Sequence, residues 1–459
     1  MVSPLSDSPL LQSARHIART LRDAGHAAYL AGGCVRDLLL DLPPTDFDVA
    51  TSATPGQITA IFPRTQQVGA HFGVILVLDE AGATEVATFR NEGAYLDGRR
   101  PEAVRFSTDP REDVIRRDFT INGMLLDPFE DNLEKAILDF VGGREDLARR
   151  QIRTIGSPEQ RFAEDKLRML RAVRFAARLS FDIHVSTAAA IRQHAQDITQ
   201  VSQERIRDEL TRMLTEGNAH RAFEMLHDLH LLRQILPEVV ALRGVQQPPE
   251  YHPEGDVWVH TMMLLEQLPA GCSTTLAWGM LLHDIGKPAT FQPAKPGDRI
   301  RFNGHVEVGM RIAEVILGRL RFSNEDTAQI VSLIRHHMQF GDVLQMKQST
   351  LKRFLRLPLF EEHLALHRAD CMSAHGDLRL YDFAKAAYES EEPVGTRPAL
   401  LVTGRDLIAA GYRPSPQFKR MLLAAEDAQL EGLIQSTEEG LRLVEREFGG
   451  VPPHPGEKT

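Results

Sequence analysis

Apolar residues recur at every third or fourth position across residues 11–24, which predicts an amphipathic helix. The segment AAYLAGGCVRDLLLDLPPTDFDVAT (27–51) then reads as an apolar strand, a Gly-Gly turn, a short helix and a second strand. GVILVL (73–78) and TEVATF (84–89) read as paired strands of the same sheet, joined by the turn DEAGA. Residues 91–112 are polar, with Gly, Pro and Arg, and read as a loop. From about Arg116 onward the patterns are mostly helical, with a 3.6-residue period in FAEDKLRMLRAVRFAARLSF (162–181) and SQERIRDELTRMLTE (202–216). GVQQPPEYHPEGD (244–256) reads as a linker, and the stretch beyond Gly449 as a disordered tail. Strands confined to the first third, followed by helices, predict an α+β fold. Its parts are a mixed-sheet head (1–140), an all-α neck and body (141–247), a His-rich helical domain (250–385) and a C-terminal helical segment (386–459).

Composition narrows the classes. Of 459 residues, 42% are apolar and 25% charged, which excludes a largely disordered chain. No apolar run reaches the ~18 residues of a membrane span, and no basic-then-apolar leader is seen, so neither a membrane partner nor secretion is expected. Cys34, Cys272 and Cys371 form no CxxC pair, which fits a reducing, cytoplasmic setting. The formal charge of −10 argues against a general nucleic-acid coat. Residues 140–215 nevertheless carry 14 Lys/Arg against 10 Asp/Glu, a local basic stripe suited to RNA. Nine of the 18 histidines fall within residues 251–376, a clustering that asks for a chemical explanation.

The head offers the first chemistry. On a strand, Asp46 and Asp48 would point to one face and repel each other unless a cation lay between them. Such a pair suits Mg²⁺-assisted nucleotidyl transfer, with Glu85 on the neighbouring strand as a third carboxylate; the plain alternative is a solvated strand face. Gly32 and Gly33, lacking Cβ atoms, would let backbone N–H groups approach a triphosphate, and Arg36 would add a guanidinium. In the neck, Glu164, Asp165 and Arg168 can share one helix face, which by spacing alone is a surface ion pair. Arg171, Arg174 and Arg178 continue down that helix, either as RNA-phosphate contacts or as a solvated face.

GGCVRD, TDFDVAT, RRDFTING (116–123), DFVGGREDL (139–147), AEDKLRMLRAVRFAARLSF (163–181) and SQERIRDEL (202–210) together resemble the class II tRNA nucleotidyltransferases, which include CCA-adding enzymes and bacterial poly(A) polymerases. The resemblance implies a polymerase-β-like head, with Asp46 and Asp48 holding Mg²⁺ and with Arg116 and Asp118 on the nucleotide ribose. Asn122 of the same motif and Arg171 join this nucleotide-binding set. It also implies that Asp165 and Arg168 read the incoming base. The loop in EGAYLDGRRPEAV (92–104) argues against an enzyme that adds only CC.

The order His260, His283-Asp284 and Asp370 resembles the HD metal-dependent phosphohydrolases, with His305 and His336 or His337 completing a second metal site. Such ligands suit Mn²⁺, Ni²⁺, Co²⁺ or Fe. His363, His367 and His375 are read as structural. The expected function is CCA addition to the tRNA 3′ acceptor end from CTP and ATP, with a separate HD phosphohydrolase activity. The alternatives are a poly(A) polymerase or A-adding enzyme and, in a different class, an HD phosphohydrolase with an RNA-binding head. Oligomeric state is left open.

Overall fold

In the computed structural model, residues 8–69, 73–92, 104–294, 296, 298–390 and 400–449 are described. The strands of the head are β1 (Ala28–Ala31), β2 (Asp48–Thr51), β3 (Thr65–Gly69), β4 (Val74–Leu78), β5 (Ala83–Thr88), β6 (Arg90–Glu92), β7 (Val104–Phe106), β8 (Met124–Leu126) and β9 (Ile137–Asp139). Seven of them form one mixed sheet in the order β3-β4-β5-β2-β1-β8-β9, while β6 and β7 pair separately. β2 runs antiparallel to β1 and parallel to β5, with Ala31 opposite Asp48 and Val49 opposite Val86. The helix Pro9–Asp23 buries Leu11, Ala14, Ile17, Ala18 and Leu21, a single face at helical spacing, and packs against β1. Leu30, Val49, Ile75 and Val86 are wholly buried in the sheet.

Two parts of the expected pattern need correction. β8 and β9 fall where the sequence reads as mostly helical. Met124, Leu125 and Leu126 are all buried, so this short strand shows no alternation of apolar and polar residues. The polar stretch 91–112 is not all loop, since it holds parts of β6 and β7 and the start of the helix Pro110–Ile115. Residues 93–103, and the expected tail beyond residue 449, lie outside the described residues.

The chain divides into two compact units. The first comprises residues 1–241, 268–272 and 319–321, and the second the remainder. In the first, the helix Arg168–Leu179 packs against Gln203–Thr215 and Ala219–Asp228, burying Met169, Leu170, Ala172, Val173 and Ala176. In the second, every residue of Thr275–Leu282 is buried, as expected of a helix that is apolar all round, and Trp278 is 0% exposed. Its last residue leads directly into His283-Asp284.

The expected linker 244–256 is a closed loop. Gln246 bridges Asp256 in antiparallel fashion. Asp256 also accepts from Gly244 N (2.8 Å) and caps the helix Val257–Glu266 by accepting from Trp258 N (2.9 Å) and Val259 N (3.2 Å). Asp256→Ala should therefore destabilise the protein by about 1–2 kcal/mol, whereas Asp256→Asn, which keeps a capping oxygen, should lose less. Denaturant unfolding checks the ranking, and equal stability of both variants with the parent would refute it.

Candidate functional site

The sheet gathers carboxylates at one edge of β2. Asp48 is the first residue of that strand, and Asp46 lies just ahead of it rather than on it, contrary to the expected strand pair. The parallel register of β2 with β5 sets Glu85 level with Asp48. Burial, then the charges of Asp46 and Glu85, push the Asp48 carboxyl up to about 7, against the pull of Arg117. Asp48 thus stands in the field of two further carboxylates, and all three offer the oxygen donors that a hard divalent cation takes.

Gly32 has φ +77°, so the turn needs glycine for its conformation, and Arg117 NH1 lies close by, 3.2 Å from where a Cβ would stand. Gly33 begins the helix Gly33–Leu39. Arg36 does not extend toward a ligand as expected. It is 3% exposed, donating to Asp37 Oδ1 (2.7 Å) and Asn122 Oδ1 (2.7 Å), because a buried guanidinium must be paired where it lies. Asp118 is likewise committed: it accepts from Phe119 N (2.8 Å), Asn122 Nδ2 (3.2 Å), and Arg171 Nε (2.9 Å) and NH2 (2.7 Å). Burial raises the Asp118 carboxyl, but Arg171 and these donors hold it below its ordinary range. Asp113 accepts from both Arg116 (2.5 Å) and Arg117 (2.9 Å).

The Glu164, Asp165 and Arg168 triplet does not share one helix. Pro158–Glu164 ends at Asp165, which is extended (φ −144°, ψ 106°), and the next helix begins at Arg168. Asp165 and Arg168 are held by different partners. Arg168 NH1 donates to Glu164 Oε2 (2.7 Å) and Arg161 O (3.2 Å), and its NH2 to Arg116 O (3.2 Å). Asp165 accepts from Leu167 N (3.1 Å) and from Arg205 NH2 (2.8 Å). Arg174 is buried against Glu209 (2.7 Å) and Glu216 (3.2 Å), so it is neither an RNA contact nor a solvated residue. Arg178 lies 3.7 Å from Asp37 and 3.9 Å from Glu216.

The second unit gathers histidines around Asp284. The Nδ1 atoms of His283, His305 and His337 lie 2.9, 2.9 and 2.6 Å from the carbonyls of Met280, Phe302 and Ile334. A carbonyl only accepts, so each Nδ1 carries a proton and each Nε2 is the nitrogen turned to the cluster; burial holds His305 and His337 below their ordinary range, so theirs present bare lone pairs. His305 and His337 thus aim two bare Nε2 atoms at each other, 3.4 Å apart and each 3.8 Å from Asp284 Oδ1. His260 Nε2 lies 3.0 Å from Asp370 Oδ1, and His283 Nε2 3.1 Å from Asp284 Oδ2. Neither His260 nitrogen nor His283 Nε2, all buried, has an aligned hydrogen-bond partner. Burial lowers His260, but Asp370 and Glu254 outweigh it and bring the ring to about 9, while burial holds His337 near 4. The donor sets His260/His283/Asp370 and Asp284/His305/His337 each converge closely enough for one divalent ion.

His336 is not part of this cluster. Its Nδ1 faces Ser332 O (2.9 Å), and its ring packs against Phe354 and His363. His337 takes the place expected of it, because the helix Asn324–His336 ends there and the following 3₁₀ turn redirects the next side chain. Gly286 lets the two ligand segments meet, since a Cβ there would stand 2.0 Å from His305 O.

Comparison with known proteins matches three family models: the Poly A polymerase head domain over residues 28–153, the "Probable RNA and SrmB- binding site of polymerase A" over 180–242, and the HD domain over 256–374. The CCA-adding enzyme of Levilactobacillus brevis is 32% identical over 414 residues, covering 90% of this chain and 91% of that protein. The chain belongs to the CCA-adding enzyme family. The Streptococcus thermophilus CCA-adding enzyme is 31% identical over 94% of this chain and 95% of its own length. Among solved structures, that of the Bacillus stearothermophilus CCA-adding enzyme in complex with CTP aligns with a TM-score of 0.73 at 28% identity, covering 96% of this chain and 98% of that one.

Within this family frame, sequence reasoning passes over Arg117, Arg205, Gln247, Glu254 and Lys287. The doubled arginine of RRDFTING and the lysine of LLHDIGK were available signals for Arg117 and Lys287; none marked Arg205, Gln247 or Glu254. The two adjacent histidines are separable by experiment. His337→Ala should lower the bound divalent metal of the purified protein and His336→Ala should leave it unchanged, as measured by elemental analysis; the reverse result would restore His336 as the ligand.

Proposed function

We propose that this chain extends tRNA 3′ ends by CCA, drawing CTP and ATP in turn without a nucleic-acid template. The observation that carries this reading is the separate anchoring of Asp165 and Arg168, whose side chains bond to different partners and not to each other. A guanidinium only donates and a carboxylate only accepts. Cytosine presents an N3 acceptor beside an N4 donor, and adenine an N1 acceptor beside an N6 donor, so one residue pair complements both. Uracil and guanine present the reverse and would leave buried groups unpaired, at about 1–3 kcal/mol each.

Asp46, Asp48 and Glu85 would hold Mg²⁺ in the head. When bound, the ion supplies charge neutralisation at the transferring phosphoryl group and polarisation of the attacking 3′-hydroxyl. The chain's own contribution is positional. The Gly32–Gly33 turn would admit the triphosphate, Arg116, held on Asp113 together with Arg117, would meet the ribose, and the Asp118–Arg171 contact would keep the base-reading residues in register with the head. We take residues 1–140 as head, 141–247 as neck and body, 250–385 as the HD domain and 386–459 as the C-terminal segment. Among the described residues no helix is long and apolar enough to cross a membrane, and we assign the protein to the cytoplasm, where its tRNA substrate lies. The HD cluster we assign a separate phosphohydrolase role on a phosphomonoester or 2′,3′-cyclic phosphate, with Mn²⁺, Ni²⁺, Co²⁺ or Fe as its metal.

The primary test uses tRNAs lacking one, two or all three terminal nucleotides, incubated with CTP, ATP or both. Completion of CCA and no further is expected. Long tails from ATP alone would point to a poly(A) polymerase, and extension only of CC-ended tRNA to an A-adding enzyme. In the same assay Asp46→Ala and Asp48→Ala should abolish addition while tRNA binding persists, and His283→Ala with Asp284→Ala should remove hydrolysis while addition persists. Loss of both activities in either variant would contradict two independent sites.

Base selection has its own test. Asp165→Ala or Arg168→Ala should let UTP and GTP compete, by about 1–3 kcal/mol of lost discrimination per missing hydrogen-bonded group. Competition kinetics read this directly, and parental selectivity in both variants would reduce the pair to a structural role.

A further inference from the structure

The loop 244–256 carries none of the HD motif, yet it delivers two buried polar side chains to the histidine cluster. Gln247 is 1% exposed, and the Glu254 side chain 5%. Glu254 Oε1 lies 2.9 Å from His252 Nδ1, 2.8 Å from His260 Nδ1 and 3.4 Å from Gln247 Nε2. Glu254 Oε2 is buried with no hydrogen-bond partner. A desolvated carboxylate is expensive to keep, and its position against a ligand ring calls for a reason.

His260 supplies that reason. Its ring is fully buried, with Nε2 toward Asp370. The other three rings of the cluster have their Nδ1 atoms beside backbone carbonyls, whereas His260 has Glu254 there instead. Angles at His260 fall short of an aligned hydrogen bond, so the contact is one of charge and proximity. A carboxylate beside Nδ1 holds a proton on that nitrogen, so Nε2 is the nitrogen whose proton a metal would displace. The carboxylate is itself held in place. Lys287 Nζ donates to Asp284 Oδ2 (2.6 Å) and Gln247 Oε1 (2.6 Å), so the Gln247 amide must turn its Nε2 toward Glu254. Asp284, Lys287, Gln247, Glu254 and His260 thereby form one continuous buried polar chain that ends at the partly exposed Asp370.

We propose that Glu254 is a positioning residue of the HD-domain metal cluster, setting the tautomer and ring orientation of His260 from outside the motif. The inference rests on the reading of that cluster as a metal site. It requires that metal affinity, and not only folding, depend on Glu254.

The test is a Co²⁺ titration of the full chain, with affinity from equilibrium dialysis and geometry from the visible absorption bands, alongside the melting temperature of the metal-free protein. Glu254→Ala should weaken Co²⁺ binding about 10–100-fold and alter the bands. Glu254→Gln keeps the side-chain volume, so it serves should the alanine variant fold poorly, and it should also weaken binding. His283→Ala is the control for the site itself. If His283→Ala loses Co²⁺ while both Glu254 variants bind it with parental affinity and spectrum, the positioning role is overturned, whatever happens to the melting temperature. If the unsubstituted chain takes up no Co²⁺, the metal reading falls and this inference falls with it.

Discussion

A charge taken out of water has to be met by a partner, and in the first unit that constraint centres on Asp118. Arg171 donates twice to its Oδ2, Asn122 reaches its Oδ1, and Asn122 in turn accepts from Arg36, which is paired with Asp37. This buried chain runs from the neck helix through the RRDFTING turn to the helix after the Gly-Gly turn. Removing one partner of such a pair typically costs about 3–5 kcal/mol, because the charge left behind stays buried. Arg171 lies three residues, just under one helical turn, from Arg168, so the ties that fix the neck helix to the head also fix the base-reading residues relative to the carboxylates at the start of β2.

The second unit solves a related problem by other means. Its cluster is built from rings kept neutral by burial at His305 and His337, beside carboxylates kept ionised at Asp284 and Asp370. Tautomers there are set by local backbone, since each Nδ1 of His283, His305 and His337 meets the carbonyl three residues before it. Such i−3 contacts come with the helix or turn carrying the ring, so three donors are preorganised by secondary structure alone. His260 is the exception, and its partner comes from the loop just ahead of its own helix.

What the sequence discloses depends on how local each signal is. The Pro9–Asp23 helix, the pairing of β4 with β5 and the short helix after Gly32 follow from periodicity and turn residues, and the family motifs are recognisable as strings. Partnerships across the fold are not. Arg36, Arg171 and Arg174 are indistinguishable in sequence from phosphate-binding arginines, and only packing reveals that each is already neutralised by a carboxylate. The break at Asp165 is invisible because apolar residues keep helical spacing on both sides of it. His336 and His337 are neighbours of one type, and the choice between them hangs on where a helix stops. Pro and Gly in 244–256 mark turns, and turns serve a clamped loop as well as a linker.

The parallel pairing of β2 with β5 carries a consequence for how the chain tolerates change. Side chains alternate between the two faces of a strand, so a shift of one residue in β2 would carry Asp48 to the opposite face and break its level with Glu85. Length changes should be absorbed between Asp79 and Gly82, where Asp79 N donates to Gly82 O and Asp79 Oδ1 accepts from Ala81 N and Gly82 N, while Asp79 Oδ2 stays tied to Ser13 Oγ. Between Asp48 and Thr51 even a single deletion has no such outlet. The head can therefore drift freely in sequence at its rim, while four consecutive residues in the middle of its sheet are frozen in number, if not in identity.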